Sequence, residues 1–144
     1  MNKNRSWAIK VSMATYDEIL RSAGLSKFQL KVSNPGMAED AHTGDTFYLI
    51  KPATTDKHSK PGIFCDATFV AMDKSGELIL EMNRDGLDLF MRKNSYIRFE
   101  SRNLKDHILL GVSNSACRTF EPLLLDDTSA LRLKFLRLKL GKDF

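Results

Sequence analysis

The chain has 144 residues, with 22 Lys+Arg against 18 Asp+Glu for a formal net charge of +4. That length suits one domain with a real apolar core, and 42% hydrophobic with 28% charged residues excludes a disordered chain. Two cysteines exclude a disulfide framework, and no run approaches the ~18 apolar residues of a membrane-spanning helix. Residues 1–7 lack the apolar stretch of a secretory leader. The expectation is one soluble, cytoplasmic domain over 1–144, with no cofactor, no metal and no membrane.

Residues 7–13 alternate Trp7, Ile9, Val11 and Met13 with Ala8, Lys10 and Ser12, the period of a half-buried strand. The period then changes. Thr15 and Glu18 have capping-box spacing, and Tyr16, Ile19, Leu20 and Ala23 recur at helical intervals up to Gly24 as the stop. Residues 28–33 form a strand candidate closed by the turn Asn34-Pro35-Gly36. Gly44-Asp45 precedes Thr46–Lys51, which is apolar on both faces, as a central strand requires. A polar loop over 52–62 leads to a long strand at 63–72, broken on one face by Asp66. Asp73-Lys74-Ser75-Gly76 has turn composition, and 77–82 is the return strand of a hairpin. Residues 87–91 and 95–100 are further strand candidates.

The C-terminal run from Leu131 to Leu140 alternates like a strand, yet its phase slips between Phe135 and Leu136. As a helix it has two apolar faces: Leu131, Phe135 and Leu138 on one, Leu133, Leu136 and Leu140 on the other. Asp126, Asp127 and Thr128 suit an N-cap and Gly141 a stop, so the helix is the favoured reading. Residues 127–144 hold five basic and two acidic side chains, most of the chain's excess charge. Five to seven strands, a helix after the first and another at the end predict an α+β fold built on a small mixed β pseudo-barrel.

The order of these pieces resembles the PUA-like superfamily, particularly its EVE and ASCH branches. The matching features are Trp7 opening the first strand, the helix at 15–23, Gly44-Asp45 before Thr46–Lys51, the loop to Gly62 and the strand after it. The strand at 95–100, Arg118-Thr119-Phe120 and the terminal helix complete the likeness, which covers most of the chain. The resemblance implies a cleft that receives a nucleic-acid base, often a modified one, between aromatic side chains and hydrogen-bonding groups. By position the base-binding candidates are Trp7, Ser33, Asn34, Tyr48, Phe64 and Arg118. The chain's one Trp leaves no second Trp for that cleft.

Each candidate also has a structural reading. Trp7, Tyr48 and Phe64 suit a core as well as a stacking platform, and Asn34 before Pro35 suits turn initiation. Asp66, a carboxylate inside an apolar strand, needs a partner if buried: a base amine, Arg98 or Arg118; at a barrel edge it would face solvent. Lys51, Lys57, His58 and Lys60 lie on or beside one loop and could line a phosphate path, or simply form a solvated loop. Arg132, Lys134, Arg137, Lys139 and Lys142 could bind phosphates, an acidic partner, or nothing.

Catalytic motifs are absent: His42, His58 and His107 are scattered, and no HExxH, Gly-x-Ser-x-Gly, P-loop or GxGxxG occurs. Some ASCH relatives are small hydrolases with a Lys, Thr and Glu set. Lys10, Thr68 and Glu81 supply those residue types, without matching the motif. The first expectation is therefore a non-enzymatic module binding nucleic acid or nucleotide, RNA or DNA. The second is a protein-interaction or inhibitor module that docks or dimerises through the C-terminal helix. A small nucleoside hydrolase is the third.

Overall fold

A computed structural model of the chain describes residues 4–21, 27–33, 36, 39–52, 62–83, 97–98 and 119–142, with backbone alone at 97–98, 132 and 136–142. Among the described residues, seven strands and two helices follow in the order β1 (Ser6–Lys10), α1 (Met13–Arg21), β2 (Lys27–Leu30), β3 (Thr46–Lys51), β4 (Gly62–Met72), β5 (Leu78–Met82), β6 (Ile97–Arg98), β7 (Leu123–Leu124) and α2 (Asp127–Lys142). They form one mixed sheet ordered β2-β5-β4-β3-β1-β7, with β6 also paired to β4. β1 and β3 run parallel, and the other ladders are antiparallel. The α+β class is as the sequence predicts. Among the described residues no ladder joins β2 to β7, so the sheet is open and the expected closure into a barrel is not seen there.

The apolar residues of β3 point both ways because each face of the sheet carries a helix. Trp7, Ile9, Phe47, Leu49, Cys65 and Ala67 pack on one face with Tyr16 and Ile19 of α1. Ala8, Tyr48, Ile50 and Ile63 pack on the other with Leu125 and Leu133, the latter from α2. A register shift beside Leu49/Ile50 pairs Leu49 with Cys65 but Ile50 with Ile63. The extra residue, Phe64, turns into the α1 side and meets Tyr16 edge-on at 4.9 Å. A β-bulge of this kind resets the alternation of a strand, and here it leaves Asp66 on the α2 side, opposite Tyr48.

Local chemistry sets the element ends. The cap of α1 is Ser12, not Thr15: the Thr15 amide donates to Ser12 Oγ (3.2 Å) and the Tyr16 amide to the Ser12 carbonyl (2.9 Å). The β4–β5 turn is closed by Asp73, whose Oδ1 accepts from the amides of Ser75 and Glu77 (2.9 Å each), while Gly76 takes φ +85°. Asp126 caps α2 by accepting the Ser129 amide at 2.7 Å. The helix runs through Lys142, so Gly141 does not end it where the sequence suggested; without a Cβ, glycine tolerates either outcome in a last turn. Of the predicted elements, Gly24, the turn residues 34–35 and the strand at 87–91 lie outside the described residues, and 95–100 is described only at β6.

Candidate functional site

Gly44-Asp45, part of the motif that carried the family resemblance, forms a buried knot. The Asp45 carboxylate has no solvent exposure. Its Oδ1 accepts the Arg5 amide (2.9 Å), and its Oδ2 accepts Trp7 Nε1 (3.1 Å) and the His42 amide (2.9 Å). Burial pushes the Asp45 pKa up. The amides of His42 and Arg5, the Trp7 indole and the Arg5 charge outweigh it and hold the carboxyl below its ordinary value. Gly44 adopts φ +98°, a conformation that suits glycine, and its amide donates to the Phe69 carbonyl (2.9 Å). The turn is thereby fixed against β4 as the chain enters β3.

This knot decides where Trp7 sits. The indole is 2% exposed, lies parallel to Phe47 at 5.6 Å, and has the Arg5 guanidinium 5.5 Å from its ring centre. Tyr48 and Phe64, the other aromatic base-binding candidates, are buried as well, on opposite faces of the sheet. The three therefore do not converge on one open cleft. Ser33 is exposed, but its amide and hydroxyl both donate to the Phe120 carbonyl (2.9 and 3.2 Å), tying the C-terminal segment to the end of β2. Lys51 is buried, with its ammonium 5.3 Å from the Tyr16 ring centre, a cation–π position. Asn34, Arg118, Lys57, His58 and Lys60 lie outside the described residues.

Asp66 belongs instead to a polar strip that the sequence did not reveal. Cross-strand register aligns Ser6, Thr46, Thr68, Glu81 and Lys27 over five neighbouring strands. Thr68, Glu81 and Lys27 are exposed. One pleat away, half-buried Asp66 accepts from Asn83 Nδ2 at both oxygens (3.3 and 3.1 Å). The strip shares its sheet face with α2. Of the Lys, Thr and Glu types considered for hydrolysis, Thr68 and Glu81 are direct partners in this row, whereas Lys10 is on β1 at another register. Among the described residues no group of three His, Cys, Asp or Glu is arranged to hold a metal.

The second surface is α2. Leu133 is fully buried against the sheet, while Leu131 is 70% and Phe135 59% exposed. At about 100° per residue, positions 131 and 135 each lie about 200° from 133, so docking through Leu133 turns both outward. They are one turn apart and form an apolar ridge. Lys134, beside it, is exposed. Positions 132, 137 and 139 are basic positions of the same helix, with backbone alone described there. Among the described residues no helix is long and apolar enough to cross a membrane.

No family model and no curated protein matches the chain. Among solved structures, a hypothetical protein from Leishmania major is similar, with TM-score 0.59 at 11% identity over 99% of this chain and 98% of that one. At that identity the likeness is one of fold.

Proposed function

We propose that this chain is a protein-interaction module that docks a partner protein through the outer face of α2. The observation that carries this reading is the exposure of Leu131 and Phe135 one turn apart on a helix anchored from its other side by Leu133. Large apolar side chains paired in this way at i and i+4 are the anchors that helix-in-groove recognition uses, and buried aromatic anchors dominate such interfaces. Panning a displayed random-peptide library on the full chain tests it. Enriched peptides should lose binding to the Leu131→Ser/Phe135→Ser variant. A library that yields only binders indifferent to these two residues refutes the reading.

A second reading, nucleotide or nucleic-acid binding on a PUA-like pseudo-barrel, is favoured by the polar strip with Asp66 and Asn83 beside it. Carboxylate and amide groups side by side can hydrogen-bond a base edge. Binding of single-stranded and duplex oligonucleotides, with and without modified bases, at defined salt should weaken by about tenfold in Asp66→Ala, the size of one good base contact. Affinity unchanged by that substitution removes this reading.

A further inference from the structure

Resting on the interaction reading, we infer that the partner presents an acidic surface around an apolar slot that takes Leu131 and Phe135. Charge complementarity points to that partner. Within Asp127–Lys142 the basic residues Arg132, Lys134, Arg137, Lys139 and Lys142 stand against one acid, Asp127. Helical geometry places positions 132 and 139 on one flank of the Leu131–Phe135 ridge and position 134 on the other. A ridge with basic positions on both flanks favours a slot bordered by carboxylates, because an apolar or basic rim would leave those charges unmatched at the interface.

The same charges disfavour the other occupants. A second copy docked ridge to ridge would bring together two helices whose flanking positions 132, 134 and 139 are all basic, and like charges across an interface are a specificity penalty. Nucleic acid would satisfy the cations but leave Leu131 and Phe135 against phosphates and water. A membrane surface calls for a broad apolar face on one side of the helix; here the Leu133 side is spent on the sheet.

The test uses three labelled amphipathic helical 18-residue peptides with identical leucine positions and Glu, Gln or Lys at the flanking positions. Each is titrated with the full chain by fluorescence anisotropy from low to physiological salt. The Glu peptide should bind about tenfold or more tighter than the Gln peptide and weaken as salt rises. Phe135→Ser, at an exposed position that leaves the fold intact by circular dichroism, should weaken the Glu peptide by about tenfold. Lys134→Glu should narrow the preference for Glu over Lys. Equal binding of the Gln or Lys peptide overturns the inference, as does Glu-peptide binding indifferent to Phe135→Ser. Phe135-dependent self-association by light scattering, or Phe135-dependent binding of phosphatidylserine vesicles or single-stranded DNA in place of the peptide, also overturns it. If panned binders depend on Leu131 and Phe135 yet are neutral or basic, the interaction reading stands and the acidic partner falls.

Discussion

Replacing Asp45 removes one acceptor group that serves three donors at once. Two of them, the Arg5 and His42 amides, are part-buried, and Trp7 Nε1 is buried with the indole. A buried donor left without a partner costs about 1–3 kcal/mol, and part-buried donors recover some of that from water. Asp45→Ala should therefore destabilise the fold by ~3–5 kcal/mol, a large share of the 5–15 kcal/mol typical of a domain. Asp45→Asn keeps one oxygen, so its amide nitrogen must face Arg5 on one side or Trp7 and His42 on the other. Its cost should be intermediate, about 1–3 kcal/mol. Urea unfolding followed by the emission of the chain's single Trp reads both. At a slope of about 2 kcal/mol per molar, the alanine midpoint should drop by ~2 M. A drop under about 0.5 M, or an asparagine variant as stable as the parent, refutes the account of the knot. The same carboxyl gives a pH signature. Its pKa is lowered in the fold despite burial, so its stabilising contribution is complete above the unfolded value and is lost as pH falls through the folded one. Stability should decline below about pH 4, and Asp45→Asn should flatten that decline. Asp73, held low first by the Ser75 hydroxyl, and Asp126, held low first by the Ser129 amide, lose stability in the same direction and keep part of the decline in the variant.

Ser12→Ala should cost about 1 kcal/mol in the same assay, with Thr15→Ala costing less, since Ser12 caps α1; the reverse order would restore Thr15 as the cap. Leu133→Ala should cost ~2–5 kcal/mol and loosen α2, whereas Leu131→Ala should stay within about 0.5 kcal/mol, and near-equal losses by thermal unfolding would contradict the docking of α2. Gly44→Ala should cost about 1–3 kcal/mol because φ is +98°; the Asn4 side chain 2.9 Å from the added Cβ can move, so a neutral substitution would mean that the turn is not strained for other residues.

Periodicity made most of the frame readable. The helix after β1, the central strand Thr46–Lys51 and the hairpin at Asp73 each follow from spacing or turn chemistry acting within a few residues. What the sequence hid depends on partners far along the chain. Asp45 meets Trp7 across 38 residues, and nothing local marks that carboxylate as buried. Strict alternation from Ile63 puts Phe64 on the same face as Asp66, whereas the bulge separates them. A second irregularity between Phe69 and Ala71 likewise shifts the pairing with β5. The polar row from Ser6 to Lys27 emerges only after five strands are in register. Trp7 shows the limit of residue-type reasoning: an aromatic at a strand start suits stacking on a base and filling a core equally, and the acceptor for its indole proton decides between them.

The exposed ridge of α2 follows from the choice of helix over strand. In a strand, Leu131, Leu133 and Phe135 would share one face, since side chains two apart point the same way. In a helix the same residues divide, because a step of two is about 200°. The carboxylate of Asp126 on the Ser129 amide starts the helical register, so division is the outcome. No rotation of α2 about its axis buries all three, and turning Leu131 and Phe135 inward would bring out Leu133, now fully enclosed by Ala8, Tyr48, Ile50 and Ile63. Nor does the neighbouring sheet surface draw the ridge down, because the strip beside it ends in exposed Thr68, Glu81 and Lys27, groups that water already satisfies. The alternation that makes the segment ambiguous as a sequence thus leaves an apolar ridge outside that no rotation of α2 can bury together with Leu133.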